Sequence, residues 1–282
     1  MALLFSYSAI AGQNCDRCSR DKRGKIARSH NAKSEFKMLH PCLVTGQSTG
    51  KCPRGLIDHM ALKRYSKWNL DLAMESSLRR YTELPYLIDY LQSKELSLLN
   101  PASWDDRNDS YYIEQFARAN GLLSTYALCF ANAPETYHHW KVFSHGSGGV
   151  CIELDKSQLI SAASQVYDLR AEDVKYKTIN SLKSCAPLQS DLPFLKRYAF
   201  VDEKEFRLFH GTTEKGELTF RIHLPLKAIK RITLSPWLPD SVVHNIKSTL
   251  KSIEGCNSLK IYKSTLVENE NWKKFAGSDA SE

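Results

Sequence analysis

The order of its secondary-structure signals limits the fold of this chain more than any other feature. Short apolar runs of strand length fall at 124–130, 150–154, 206–210, 218–224, 229–234 and 259–265. Helical patterns fall at 111–120, 156–165, 172–182 and 239–253, so helices and strands do not alternate one for one. Upstream, Leu84, Leu87, Ile88 and Leu91 form an i, i+3, i+4, i+7 stripe, with Thr82 placed to cap it and Pro85 tolerated in its first turn. Residues 68–80 read as a short helix or an opening strand, and 96–99 as a short strand. No GxGxxG follows the first strand signal, which argues against a doubly wound dinucleotide-binding sheet. The expectation is an α+β fold: a mixed, largely antiparallel sheet core with flanking helices.

An apolar content of 42% and an aromatic content of 10% exclude a wholly disordered chain. No apolar run approaches the roughly 18–20 residues of a membrane span. The opening Met1-Ala2-Leu3-Leu4-Phe5 is too short for a secretory core and follows no basic region. A soluble cytoplasmic protein with no membrane partner is expected.

The net charge of +8 is unevenly placed. Residues 1–59 carry ten Lys/Arg against four Asp/Glu, whereas residues 60–282 carry 29 against 27. This division predicts a basic, loop-rich N-terminal extension at 1–59, one α+β catalytic domain at 60–270, and a disordered tail at 271–282. A basic arm suits nucleic acid, since it neutralises phosphates and releases counterions, but it equally suits a solubilising tail.

The arm also holds Cys15, Cys18, Cys42 and Cys52. Cys15 and Cys18 have the spacing of a zinc half-site, and a metal could staple so polar a segment. Structural zinc sites usually show two tight pairs, and Cys42 and Cys52 are ten residues apart. Reduced, unliganded thiols are therefore the default, with zinc the alternative. The other four cysteines read as small buried hydrophobes.

Four segments concentrate chemistry-bearing residues. Arg79-Arg80-Tyr81-Thr82 offers a guanidinium fork for phosphate or carboxylate, or simply a solvated basic pair. Trp104-Asp105-Asp106-Arg107-Asn108-Asp109 sets a Trp in an acidic loop, which suits either turns or a hard cation, without EF-hand spacing. His138-His139-Trp140 lacks zincin spacing, while Trp140 offers a flat face for stacking or a core filler. In Glu203-Lys204-Glu205-Phe206-Arg207, Glu203, Glu205 and Arg207 fall two apart and share a face if the segment is a strand.

In this order the segments resemble the bacterial domain-of-unknown-function family 2971. The resemblance spans roughly residues 78–265, through Arg80-Tyr81, the loop from Pro101 to Asp109, and Cys129-Phe130 with Trp140 and Gly149 to Leu154. It ends with Glu203 to Arg207; Phe143 and Phe206 depart from the family's Tyr and Trp. The order of parts is similar in turn to that of NAD-dependent ADP-ribosyltransferase toxins. That similarity implies a split sheet, NAD as co-substrate and a catalytic Glu205. Arg80, Tyr81, Trp104, Trp140 and Arg207 would contact the cofactor. It further implies a phage-defence toxin modifying RNA, with a protein antitoxin as partner. A metal-dependent nuclease using Asp105, Asp106, Asp109 and Glu203 is the competing enzyme reading. A non-enzymatic nucleic-acid or protein-binding module is the third.

Overall fold

The structure is a computed structural model and describes residues 76–144 and 146–277. The basic arm, its four cysteines and His145 lie outside the described residues.

The chain opens on strand β1 (Ser77–Glu83), followed by helix α1 (Leu84–Ser93) and β2 (Glu95–Leu99). A 3-10 turn at Pro101–Ser103 precedes α2 (Arg107–Ala119), and β3 (Ser124–Ala131), α3 (Tyr137–Phe143), β4 (Gly149–Asp155) and α4 (Lys156–Ala163) follow. Next come β5 (Arg170–Asp173), β6 (Lys175–Lys177), α5 (Ile179–Ser184), β7 (Leu195–Arg197) and β8 (Glu205–Thr212). The last elements are β9 (Thr219–His223), β10 (Ile229–Leu234), α6 (Asp240–Ser252), β11 (Ile261–Lys263) and α7 (Glu270–Gly277).

Nine strands form one sheet along the path β11-β10-β4-β1-β3-β2-β9, with β8 laid along β3 and β5 along β8. Every pairing in it is antiparallel except β10 with β11. The expected largely antiparallel α+β architecture is therefore what forms. The sheet is joined unevenly. β3 pairs with β8 from Ser124↔Thr212 to Ala131↔Glu205, yet meets β1 only at Arg79↔Ala131 and β2 only at Leu99↔Ala127. One ladder bridge thus links the β1–β4 half to the β3–β8 half, and the strands part around it.

Alternation along the strands separates two faces. Leu78, Leu128, Phe130, Ile152, Leu154, Phe206 and Leu208 face the main core, where Leu87, Tyr90 and Leu91 of α1, Leu159 of α4 and Leu250 of α6 cover them. The opposite face carries Tyr81, Ala131 and Cys151 with Trp140 of α3 in one cluster. It also carries Ala127 and Phe209 with Ile113 of α2 and Phe194 in another. Charged residues enter this second face between the two small clusters, because neither is large enough to cover it.

Three local expectations change. Thr82 is not the cap of α1. It stays in the β1 ladder opposite Val150, which runs on to Glu83↔Gly149, so the cap position falls on Glu83, whose side chain makes no capping hydrogen bond. The helix expected at 172–182 forms only as α5, because Arg170–Asp173 pairs with the edge of β8 and Thr178 then caps a fresh helix through Ser181 N. Ladder pairing outweighs helix propensity there. A helix, α7, occupies 270–277, where a tail was expected.

Gly149 sits where β4 leaves a tight turn. A Cβ added there would lie 2.6 Å from Ser144 Oγ and 2.7 Å from Ser144 Cβ, and Ser144 is itself buried and donates to Trp140 O. Gly149→Ala is expected to lower stability by about 1–3 kcal/mol, the usual cost of overpacking. Gly148→Ala meets nothing within 4 Å and serves as the control. Comparing the two Tm values checks this, and equal values would show that Ser144 yields freely.

Candidate active site

The parting of β1 from β3 opens a cleft of about 400 Å³, inside the roughly 300–1,000 Å³ range of small-ligand pockets. β1 supplies Arg79, Arg80 and Tyr81, and β3 supplies Cys129 to Ala131. The turn before α2 supplies Trp104 to Asp106, and Val142 and Phe143 come from α3. The segment before β8 adds Lys196, Phe200 and Glu203, and β8 itself adds Glu205.

Glu205 is the first residue of β8 and is 4% exposed. Its Oε1 accepts from Arg207 Nε at 2.6 Å and its Oε2 from Lys196 Nζ at 3.2 Å. Its backbone N–H donates to Tyr176 Oη at 2.8 Å. The period-2 expectation holds for Glu205 and Arg207, which point to one face. Glu203 is not on the strand. It ends the 3-10 turn Tyr198–Glu203, and Lys204, at φ +43°, turns the chain between the two glutamates. Glu203 still returns to the cluster, accepting from Lys196 Nζ at 2.6 Å.

Beneath these groups Arg207 is fully buried. Its Nη1 and Nη2 reach Asp109 Oδ1 and Oδ2 at 2.9 and 2.6 Å, and Nη1 also donates to Pro193 O at 2.7 Å. The Trp104 ring covers the guanidinium at 4.9 Å. Such a fork-on-fork pair fixes orientation as well as charge.

The carboxyls of the cluster shift in opposite directions. Burial alone would raise the Glu205 carboxyl, but Arg207 and Lys196, with a hydrogen bond from Cys129, pull it down to about 2. Burial raises Glu203 and Asp109 above the ordinary carboxylate range, against the pull of Lys196 and Arg207. Burial likewise pushes the Cys129 thiol well up, so it stays a neutral donor beside Glu205. Glu205 is thus held anionic at neutral pH, on the cleft wall.

Four of the six expected site residues meet at this cleft: Glu205, Arg80, Tyr81 and Trp104. Arg80 Nη1 donates to Cys129 O at 3.1 Å, bridging the parted strands. Two leave the contacting set. Trp140 is fully buried; it donates Nε1–H to Glu135 Oε1 at 2.6 Å and meets Tyr81 edge-on at 5.2 Å, so it supports Tyr81 from below. Arg207 meets the cleft through its carboxylate partners and through Trp104. Sequence reasoning did not single out Lys196, Phe200 or the site role of Arg79. Arg79 donates to Ala133 O at 2.5 Å and Glu153 Oε2 at 3.2 Å. The Arg79-Arg80 pair was visible, but nothing around Lys196 marked it.

The four carboxylates proposed for a metal nuclease all line this cleft, but three of them already have partners. Asp109 binds Arg207 and Glu203 binds Lys196, while Asp106 Oδ1 caps α2 through Asn108 N and Asp109 N. Among the described residues no three His, Cys, Asp or Glu side chains are grouped to hold a metal ion.

No family model matches the sequence and no curated protein matches it. The resemblance to family 2971 therefore rests on the motifs quoted above. Among solved structures the chain is similar to DarT of Thermus sp. 2.9 in three complexes. With carba-NAD+ the TM-score is 0.35 at 10% identity, over 67% of this chain and 96% of that one. With ADP-ribosylated ssDNA it is 0.36 at 11%, over 67% and 94%. With NAD+ it is 0.35 at 9%, over 67% and 96%.

Proposed function

We propose that this chain is an NAD-dependent ADP-ribosyltransferase that modifies nucleic acid. The observation that carries the reading is the Glu205 carboxylate, kept ionised on the wall of a cleft that also presents the guanidinium groups of Arg79 and Arg80 and the rings of Tyr81, Trp104, Phe143 and Phe200. In ADP-ribosyl transfer the bond from the ribose C1′ to the nicotinamide nitrogen breaks, and nicotinamide leaves with the electron pair. Positive charge develops over C1′ and the ring oxygen. A fixed anion that needs no reorganisation stabilises that charge most in a water-poor site. The acceptor's nucleophile then bonds to C1′ and gives up its proton.

The residues present suit such a substrate. Arg80 offers a cation to the pyrophosphate, and Tyr81, Trp104 and Phe200 offer flat faces. Asp106 Oδ2 is buried, has no hydrogen-bond partner and lines the cleft, so it can accept from a ribose hydroxyl or an amino group. An unpaired buried acceptor is costly unless a ligand satisfies it.

The acceptor favoured by the sequence reading is RNA, and the single-stranded DNA named with the Thermus protein is the second acceptor to carry in the assay. Incubation with NAD labelled in the adenylate moiety, and separate pools of RNA, single-stranded DNA and protein, is expected to label a nucleic-acid pool and release nicotinamide. The reading fails if no pool is labelled and NAD persists. Label in the protein pool alone would keep the enzyme and overturn its acceptor. The toxin role adds that expression of the wild-type chain arrests a bacterial host, whereas Glu205→Gln does not.

A further inference from the structure

A second cavity, of about 350 Å³, lies across the ion-pair cluster from the cleft. Asp109 and Lys196 line both, and Lys196 Nζ is 3.2 Å from Glu205 Oε2, so the two spaces share a wall that carries the site's own lysine. The far side of this cavity is basic. Lys177 ends β6 and Arg197 ends β7, and the two are register partners on adjacent parallel strands. Arg107 adds a third cation from the first turn of α2. All three are exposed, and none has a carboxylate partner among the described residues. Asp109, the acidic residue lining this cavity, is held by Arg207. Like charges placed side by side on neighbouring strands repel unless an anion sits between them. Tyr111 lies beside them on α2 and is 55% exposed, a large aromatic face open to solvent on an otherwise polar helix end.

We infer that this groove is the acceptor-binding site, and that its ligand is a single-stranded nucleic acid. Arg107, Lys177 and Arg197 would hold successive phosphates and Tyr111 would stack on a base. The inference rests on the proposed activity for the word acceptor, but the binding itself does not. Cations tracking a backbone, interleaved with an aromatic that accepts any base, are the physical requirements for holding a single strand. An acidic polypeptide would meet the charges but leave the exposed ring without a matching π-face. Lys196, which lines both spaces, is 3.2 Å from Glu205 Oε2, so a strand bound here lies one side chain away from the carboxylate.

The test uses the full chain, without NAD, and labelled 12-mer RNA and DNA of one sequence in fluorescence anisotropy across a salt series. Each phosphate contact on a single strand contributes about 0.7 to the slope of log K against log salt. The triple variant Arg107→Ala, Lys177→Ala, Arg197→Ala is therefore expected to reduce that slope by about 2 and to weaken binding at least tenfold at low salt. Arg107→Lys with Arg197→Lys should restore the slope. Tyr111→Ala should weaken binding about fivefold or more and leave the slope unchanged, a split that general unfolding would not produce. If the triple variant does not fold, the single changes Lys177→Ala and Arg197→Ala should each remove about 0.7 of slope. An unchanged slope would assign binding to residues outside the groove and overturn the inference. So would displacement of the strand by polyglutamate at matched charge, which would name an acidic polypeptide instead. Because no NAD is present, failure here is separate from failure of the transferase reading, which nicotinamide release reports.

Discussion

Glu205→Gln is expected to reduce nicotinamide release by about 10²–10³-fold, the usual cost of removing one preorganised electrostatic contact to a transition state. The change keeps the shape and one acceptor oxygen, so loss of packing is not the cause. Each buried cation also keeps a carboxylate of its own: Arg207 retains its two bonds to Asp109, and Lys196 retains Glu203. The folded state should therefore survive, and circular dichroism with a denaturation midpoint near wild type is the control. A well-folded variant with turnover within fivefold of wild type would remove Glu205 from the mechanism.

The same residue sets an expectation in pH. Its carboxyl is depressed to about 2, so the ionised form is complete above the ordinary glutamate value near 4.5 and is lost only as pH falls towards 2. Between pH 5 and 8 the rate should show no acid limb from Glu205. Lys196→Met removes one of the two cations holding the value down, so an acid limb should move up towards the ordinary range. An identical profile in that variant would mean that Lys196 contributes nothing to the charge state of Glu205.

Part of this site was legible in one dimension. Two-residue spacing was enough to set Glu205 and Arg207 on one face, since a strand allows no other arrangement. The sheet's character was legible too, and β10 at 229–234 forms where its apolar run lies. What the sequence could not show is pairing at a distance. Asp109 read as a turn or metal residue because its partner, Arg207, lies 98 positions away and meets it only across α2 and β8. Trp140 read as either a stacking face or a core filler, because composition does not say which side of a helix is covered. In the fold, α3 presses it against Tyr81 and Cys151. Residues 172–182 have helical spacing, yet the exposed edge of β8 recruits 170–173 as a strand, and no local signal announces an unpaired edge. Asp106 also read as a turn or metal residue, because the helical pattern reads only from Tyr111 whereas α2 begins at Arg107. With the helix starting four residues earlier, Asp106 is its cap, accepting from Asn108 N and Asp109 N.

Arg207→Met carries the largest expected effect on stability. The guanidinium is fully buried and supplies two bonds to Asp109, one to Glu205 and one to Pro193 O. Removing one partner of a buried pair leaves uncompensated charge and typically costs about 3–5 kcal/mol, a large share of a domain's stability. Here two carboxylates lose their principal cation together, and Lys196 cannot serve both, being 3.7 Å from Asp109 and already bonded to Glu203. The loss should depend on pH with a definite sign. Asp109 is already raised by burial, and without Arg207 it rises further, so the folded variant binds a proton that the unfolded chain releases. A raised carboxyl favours the folded state below its unfolded value, and that contribution fades as pH climbs through the folded value. The variant should thus gain stability from pH 7 to pH 5. Wild type should lose the Glu205 contribution only further down, from about pH 4.5 towards 2, as pH falls through the value of the folded carboxyl. Urea denaturation at both pH values measures this directly. A purely steric loss would be equal at the two, and the electrostatic account would not survive it. Adding Asp109→Leu to Arg207→Met should recover part of the loss, since an apolar pair needs no counterion. That double variant would fold and still turn over poorly, because Glu205 would lack the cation that aims it. In that outcome the Arg207–Asp109 pair contributes placement of the catalytic carboxylate rather than net stability.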